Sequence, residues 1–147
     1  QILTGLVGSE MCIRDRFTLV NETKVIDWLN TIAKSEGYKI KKIFYNYVSE
    51  IKIKDLNKRH LSHNYSTDIL TFDYSQGKGI VSEIYIAPKK VEKNAKKYSQ
   101  SIENETLRVI SHGLLHLCGY NDITNDEARE MRLKEDHYLK LFHSYSK

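Results

Sequence analysis

The chain has 147 residues, 40% hydrophobic and 29% charged, with ten Tyr, one Pro and two Cys. That suits one compact domain with a hydrophobic core and excludes disordered, fibrous and disulfide-framework classes. No run approaches the ~18 apolar residues of a membrane span, and a net charge of +4 permits a nucleic-acid partner without demanding one.

Residues 1–16 are set apart from the rest. The chain opens at Gln1 and not at a Met, and Leu6–Arg16 (LVGSEMCIRDR) resembles the in-frame translation of a transposon sequencing adapter. Gln1–Val7 lacks the basic start and long apolar run of a signal peptide. The expected domain is therefore 17–147, with 1–16 outside the fold. Its removal takes away Arg14 and Arg16 together with Glu10 and Asp15, so the net charge does not change. Cys12 goes too, and Cys118 remains as a lone thiol, in keeping with a reducing cytoplasm.

Phe17–Val20 reads as a short strand. Asn21 is placed to cap a helix over Glu22–Glu36, with Val25, Trp28, Leu29 and Ile32 on one face and Gly37 as its stop. Lys39–Val48 is rich in β-branched and aromatic residues and predicts a strand. Glu50–Leu61 predicts a helix, and Ser62–Ser66 a loop. Asp68–Tyr74 alternates as a strand, and a turn at Gln76-Gly77-Lys78-Gly79 leads into another over Ile80–Ala87. Pro88 opens a helix with the apolar stripe Val91, Ala95, Tyr98 and Ile102. Asn104–Cys118 is a strongly apolar helix ended by Gly119. Thr124-x-x-Glu127 is a capping box that starts a last helix through Phe142. This order predicts an α+β single domain, a mixed sheet of about four strands covered by helices.

The chemistry concentrates in Ser-His-Gly-Leu-Leu-His-Leu-Cys-Gly-Tyr-Asn-Asp, residues 111–122. His112 and His116, four apart on a helix, project from one face about one turn apart. Both lie in an apolar segment, where two buried imidazoles need partners and one metal ion serves both. Gly119 lets the chain turn, so Asp122 can bring a carboxylate back to the rings. Two His and one carboxylate leave a coordination position open, as catalytic sites do. Helical zinc proteases place a general-base Glu directly after the first His. Gly113 occupies that place here.

The same stretch resembles the H-G-x-L-H-L-x-G-Y-D-H signature of the YbeY family, metal-dependent endoribonucleases of bacterial ribosomal RNA maturation. Asn57 and Thr67-Asp68-Ile69-Leu70-Thr71-Phe72 are similar to the family's N-x-x-Y-R and T-D-V-L-S-F segments, and Ser82-Glu83-Ile84 stands where it usually has G-D-I. The resemblance covers Phe17–Phe142. It implies one Zn²⁺ or other divalent ion on His112, His116 and Asp122, with Asp122 in place of the family's third His. It further implies a cytoplasmic enzyme for single-stranded RNA that matures the 3′ end of small-subunit ribosomal RNA and serves ribosome quality control. The family's Arg falls on Leu61, so Arg59 or Arg108 is the candidate to stabilise phosphoryl charge. Glu83 is a candidate acid for a ligand His or a water, and Asn57 and Thr67 are candidates to position substrate.

Lys93 and Lys97, with Lys89 and Lys96, form a helix face that either meets RNA phosphates or is simply solvated. Tyr45, Tyr47, Tyr65, Tyr74 and Tyr85 either stack on bases or pack in strands. Cys118 reads as a small buried apolar residue, and His60, His63, His137 and His143 as surface residues. Two other functions fit the residues: a ribosome-assembly factor with a structural metal, or a metallohydrolase of another substrate.

Overall fold

The computed structural model describes residues 10–13, 22–61 and 67–144. The core starts from helix α1 (Glu22–Ser35), which buries Val25, Trp28, Leu29 and Ile32 on one side. These four lie at i, i+3, i+4 and i+7, the spacing that turns one stripe of a helix inward. The Trp28 indole donates Nε1–H to the Tyr138 carbonyl at 2.7 Å and meets the Phe142 ring edge-on, with centroids 5.2 Å apart. Tyr138 and Phe142 belong to the last helix, so one side chain joins the first and last helices of the described residues.

Among the described residues a four-stranded sheet runs in the order β1-β2-β4-β3, from β1 (Glu10–Ile13), β2 (Lys39–Tyr47), β3 (Ile69–Asp73) and β4 (Gly79–Ile86). β2 is parallel to β1 and β4, while β3 is antiparallel to β4. Strand alternation divides β4 cleanly. Ile80, Ser82, Ile84 and Ile86 are buried, and with Ile40, Ile43 and Tyr45 of β2 they form the floor of the main core. The opposite face carries a smaller core, where Ile53 and Leu56 of α2 (Glu50–Leu61) cover Leu70, Phe72 and Tyr85. Over the main core lie α3 (Pro88–Lys97), α4 (Ile102–Leu117) and α5 (Asn125–Ser144), together with α1. The fold is α+β, as the sequence predicts. No helix among the described residues is long and apolar enough to cross a membrane.

Three expected strands are found within a residue or two of their predicted bounds. The remaining strand is Glu10–Ile13, inside the segment expected to stay outside the fold, while the predicted strand Phe17–Val20, the cap Asn21 and the loop Ser62–Ser66 lie outside the described residues. An edge strand pairs through its main chain alone, so the position asks only for an extended segment. A second departure concerns α3, which ends at Lys97. Ser99 takes φ 56°, and the Ser101 hydroxyl then caps a new helix by accepting from the Asn104 N–H at 3.0 Å. Tyr98 and Ile102, expected on the buried stripe of α3, are instead 56% and 43% exposed. The last helix begins as expected: Glu127 and Thr124 exchange backbone–side-chain hydrogen bonds at 3.1 Å each way.

Glu36, just past α1, draws three elements together. It accepts from the Tyr120 hydroxyl at 2.8 Å, from the Tyr138 hydroxyl, and from the Lys134 ammonium at 3.1 Å. Burial opposes its charge, but the hydrogen bonds from Tyr138, Tyr120 and Lys134 outweigh burial and hold the carboxyl below its ordinary value. A folded-state pKa below the unfolded one gives stability that is full above the unfolded value and is lost as pH falls through the folded one. Glu36→Gln is therefore expected to flatten the fall of melting temperature below about pH 4.5. An unaltered acid slope would contradict the assignment. Deleting residues 1–16 is expected to leave the melting temperature within a few degrees, because it removes one short edge strand. A larger drop would show that the edge strand belongs to the native core.

Candidate metal centre

Helix α4 is the central helix of the fold, with no exposed residue from Glu105 to Leu117. Leu107, Ile110, Leu114 and Leu117 are buried. Gly113 lies flat on the sheet, where an added Cβ would stand 2.9 Å from Ile69 Cδ1 and 3.3 Å from Thr71 Oγ1. This close approach explains the glycine after His112, since a side chain at that position would enter the sheet and not the site. His112 and His116 project on the other side and are 23% and 31% exposed. Gly119, at φ +99°, reverses the chain beyond the helix, and the following turn returns Asp122.

Three ligand atoms converge. The two Nε2 atoms are 3.0 Å apart, and Asp122 Oδ2 lies 3.2 Å from His112 Nε2 and 3.7 Å from His116 Nε2. These separations bracket ~3.3 Å, the edge of a tetrahedron with bonds of about 2.0 Å. The outer nitrogens are engaged elsewhere. His116 Nδ1 meets the Tyr120 carbonyl at 2.9 Å, and a carbonyl only accepts, so that nitrogen carries the proton. His112 Nδ1 meets Glu135 Oε2 at 2.6 Å. Burial opposes charge on Glu135, yet its hydrogen bonds and attraction to His112 and Arg108 hold it below its ordinary value, so it too accepts. Both rings thus turn the Nε2 lone pair toward the Asp122 carboxylate. Three acceptors facing one another need a proton or a cation between them, and this donor set fits a divalent ion. Among the described residues, no other three such groups bring ligand atoms within 4.8 Å.

The surroundings separate the two rings electrostatically. Burial lowers the His112 pKa, but Glu135, then Asp122 and Asp68, more than compensate and leave it raised. Burial and the neighbouring His112 lower that of His116. Arg108 binds Glu135 through NH1 and Asp136 through NH2, each at 2.8 Å, and so fixes the carboxylate that orients His112.

The other predicted residues scatter. Asn57 and Thr67 line a groove of about 660 Å³ that also holds His112, His116 and Asp122. Arg59 is solvent-exposed and bound to Asp55 at 2.9 Å, one turn back on α2. Glu83 accepts from the Tyr74 hydroxyl at 3.0 Å and, by strand alternation, lies on the sheet face opposite to α4. The structure brings neither to the candidate ligands. Lys93 is paired with Glu50 at 2.9 Å, and Lys97 stands over the Tyr98 ring at 5.3 Å. Neither lines the groove. Cys118 is buried, and burial pushes its thiol up to about 12, so it stays protonated. His137 and His143 are exposed as expected, whereas the side chains of His60 and His63 lie outside the described residues. Tyr45 is fully buried, and Tyr85 packs edge-on against Phe72. Glu135 was not anticipated, although the signal is legible. It follows Met131 by four residues in the buried stripe of α5, where an unpaired acid would be costly.

A family model described as Endoribonuclease YbeY matches residues 13–143. Proteins named Endoribonuclease YbeY from Flavobacterium johnsoniae and Cytophaga hutchinsonii are 39% and 42% identical to this chain over 127 residues. The matches cover 86% of the chain and 91% and 89% of theirs. A solution structure of a Thermotoga maritima protein is similar with a TM-score of 0.58 at 32% identity, covering 84% of each chain.

Purified protein is expected to carry about one divalent ion per chain, absent from a His112→Ala/His116→Ala double variant. Glu135→Gln is expected to weaken metal affinity by about 10–100-fold. Metal analysis and chelator competition check both, and full retention in the double variant would remove the site.

Proposed function

The chain belongs to the YbeY endoribonuclease family, and on that footing we propose that it is a zinc-dependent hydrolase of single-stranded ribosomal RNA. Its place of action in this reading is the cytoplasm, at the 3′ end of small-subunit RNA and in ribosome quality control. The observation that carries the metal part is the convergence of His112 Nε2, His116 Nε2 and Asp122 Oδ2 within 3.7 Å of one another. A nitrogen–nitrogen–carboxylate set suits Zn²⁺ and other first-row divalent ions. The chemistry such an ion supplies is Lewis-acid activation for hydrolysis of a phosphodiester.

The chain's own residues prepare the ground for that chemistry. Glu135 and the Tyr120 carbonyl hold the two imidazoles in one tautomer and one orientation, so little rearrangement accompanies binding. Asp122 adds negative charge, which strengthens hold on the cation and makes the site less acidifying than three neutral His would be. Asn57 and Thr67, lining the same groove, are the groups placed to hydrogen-bond the substrate. Arg108 is a positioning residue for His112 through Glu135 in this reading, in place of a direct phosphate clamp. Gly113 leaves no room for a general base next to His112, which separates this site from that of a helical zinc protease.

Cleavage of single-stranded RNA by metal-loaded protein tests the proposal. His116→Ala is expected to cut at least about 100-fold more slowly. Equal cutting by both preparations would overturn it. So would failure of both to cut while both bind ribosomal subunits, which would favour the assembly factor.

A further inference from the structure

The first half of α4 carries an acid that the metal centre does not use. Glu105 is only 6% exposed, and its carboxylate has no hydrogen-bond or ion-pair partner among the described residues. Arg108, one turn along, is already spent on Glu135 and Asp136. Glu105 lines an open cavity of about 290 Å³ together with Asp68, Asn94, Tyr98 and Arg132, and His112 and Asp122 form the side that adjoins the metal centre. Burial raises the Glu105 pKa against the attraction of Arg108. A largely covered carboxylate that opens onto a cavity and is not engaged by the protein keeps its acceptor positions available to a ligand.

The lining decides the ligand's chemistry. A second cation is disfavoured, since only His112, His116 and Asp122 bring three ligand atoms together among the described residues. A phosphate is disfavoured as well, because Asp68, Glu105, Asp122 and Glu135 outnumber Arg108 and Arg132 in the lining, and Arg108 is already paired. A neutral planar group that donates along one edge fits both conditions. Guanine presents two adjacent donors, N1–H and the N2 amino group, that match the two oxygens of one carboxylate, whereas adenine, cytosine and uracil do not pair donors in this way. The exposed Arg132 supplies a donor for the O6 and N7 edge, and the half-exposed Tyr98 ring supplies a stacking face.

We propose that this cavity is a base subsite that seats a guanine next to the cleaved linkage, with Glu105 as the residue that sets the preference. The proposal rests on RNA being the substrate. The test gives the intact metal-loaded protein short single-stranded oligoribonucleotides that differ only in the base beside the cut. kcat/KM is expected to favour guanine by about tenfold. Glu105→Gln, nearly equal in volume, is expected to bring that ratio close to one, because an amide nitrogen faces a donor where an oxygen should. Arg132→Ala, at an exposed position that does not burden the fold, is expected to lower it part of the way. No preference in the parent, or the same base profile in the parent and Glu105→Gln, overturns the subsite and leaves the nuclease standing. Equilibrium binding of guanosine and adenosine monophosphates gives a readout that needs no cleavage. Tighter guanosine binding that Glu105→Gln abolishes supports the subsite even where no RNA is cut, and the nuclease reading alone then falls. Equal binding of the two nucleotides overturns it.

Discussion

Helix α4 must be buried and yet carry two polar rings on one face, and the arrangement of the other elements follows from that constraint. Its apolar side is pressed so closely onto β3 and β4 that Gly113 has no space for a side chain. The price of that fit is that the imidazoles of His112 and His116 stand half-covered with nothing on their own helix to satisfy them. The remedy comes from outside it: the Tyr120 carbonyl from the turn, Asp122 from the same turn, and Glu135 from the facing side of α5. Each of these is fixed in turn, Glu135 by Arg108 and Tyr120 by Glu36. The polar groups form a connected set, in which each member has a partner and low local dielectric strengthens the bonds.

Charge is distributed in a way that the net +4 conceals. No lysine of α3 lines the groove, and the charged residues that border the candidate ligands are mainly acidic. Carboxylates around two imidazoles favour a bound cation, while a long polyanion has to be drawn by charges elsewhere on the surface. Under the proposed function, metal binding and RNA attraction would therefore use different parts of the molecule. This is why a basic composition alone says little about where catalysis occurs.

Features that depend on neighbours along the chain were legible in the sequence. The i,i+4 pair of His, the turn at Gly119 and the box between Thr124 and Glu127 are all short-range, and each is found as read. Features that depend on which sheet face or which helix lies opposite were not. Glu83 matches a family position, but parity within β4 turns it away from α4. Arg59 is near in sequence to Asn57, yet the helical turn gives it Asp55 and solvent while Asn57 lines the groove. Glu135 becomes meaningful only when α5 lies against α4. The start of α4 was misplaced by two residues, because Tyr98 and Ile102 continue the apolar spacing of α3 across a break that the φ of Ser99 enforces.

Trp28 is the only tryptophan in the chain. It is fully buried and hydrogen-bonded to the carbonyl of Tyr138, less than one turn beyond Glu135 on α5. Indole emission responds to polarity and hydrogen bonding, so this molecule contains an intrinsic optical gauge of whether α5 is seated. Since α5 also delivers the carboxylate that steers His112, the same light reports, without any label, on whether the candidate metal centre has been assembled.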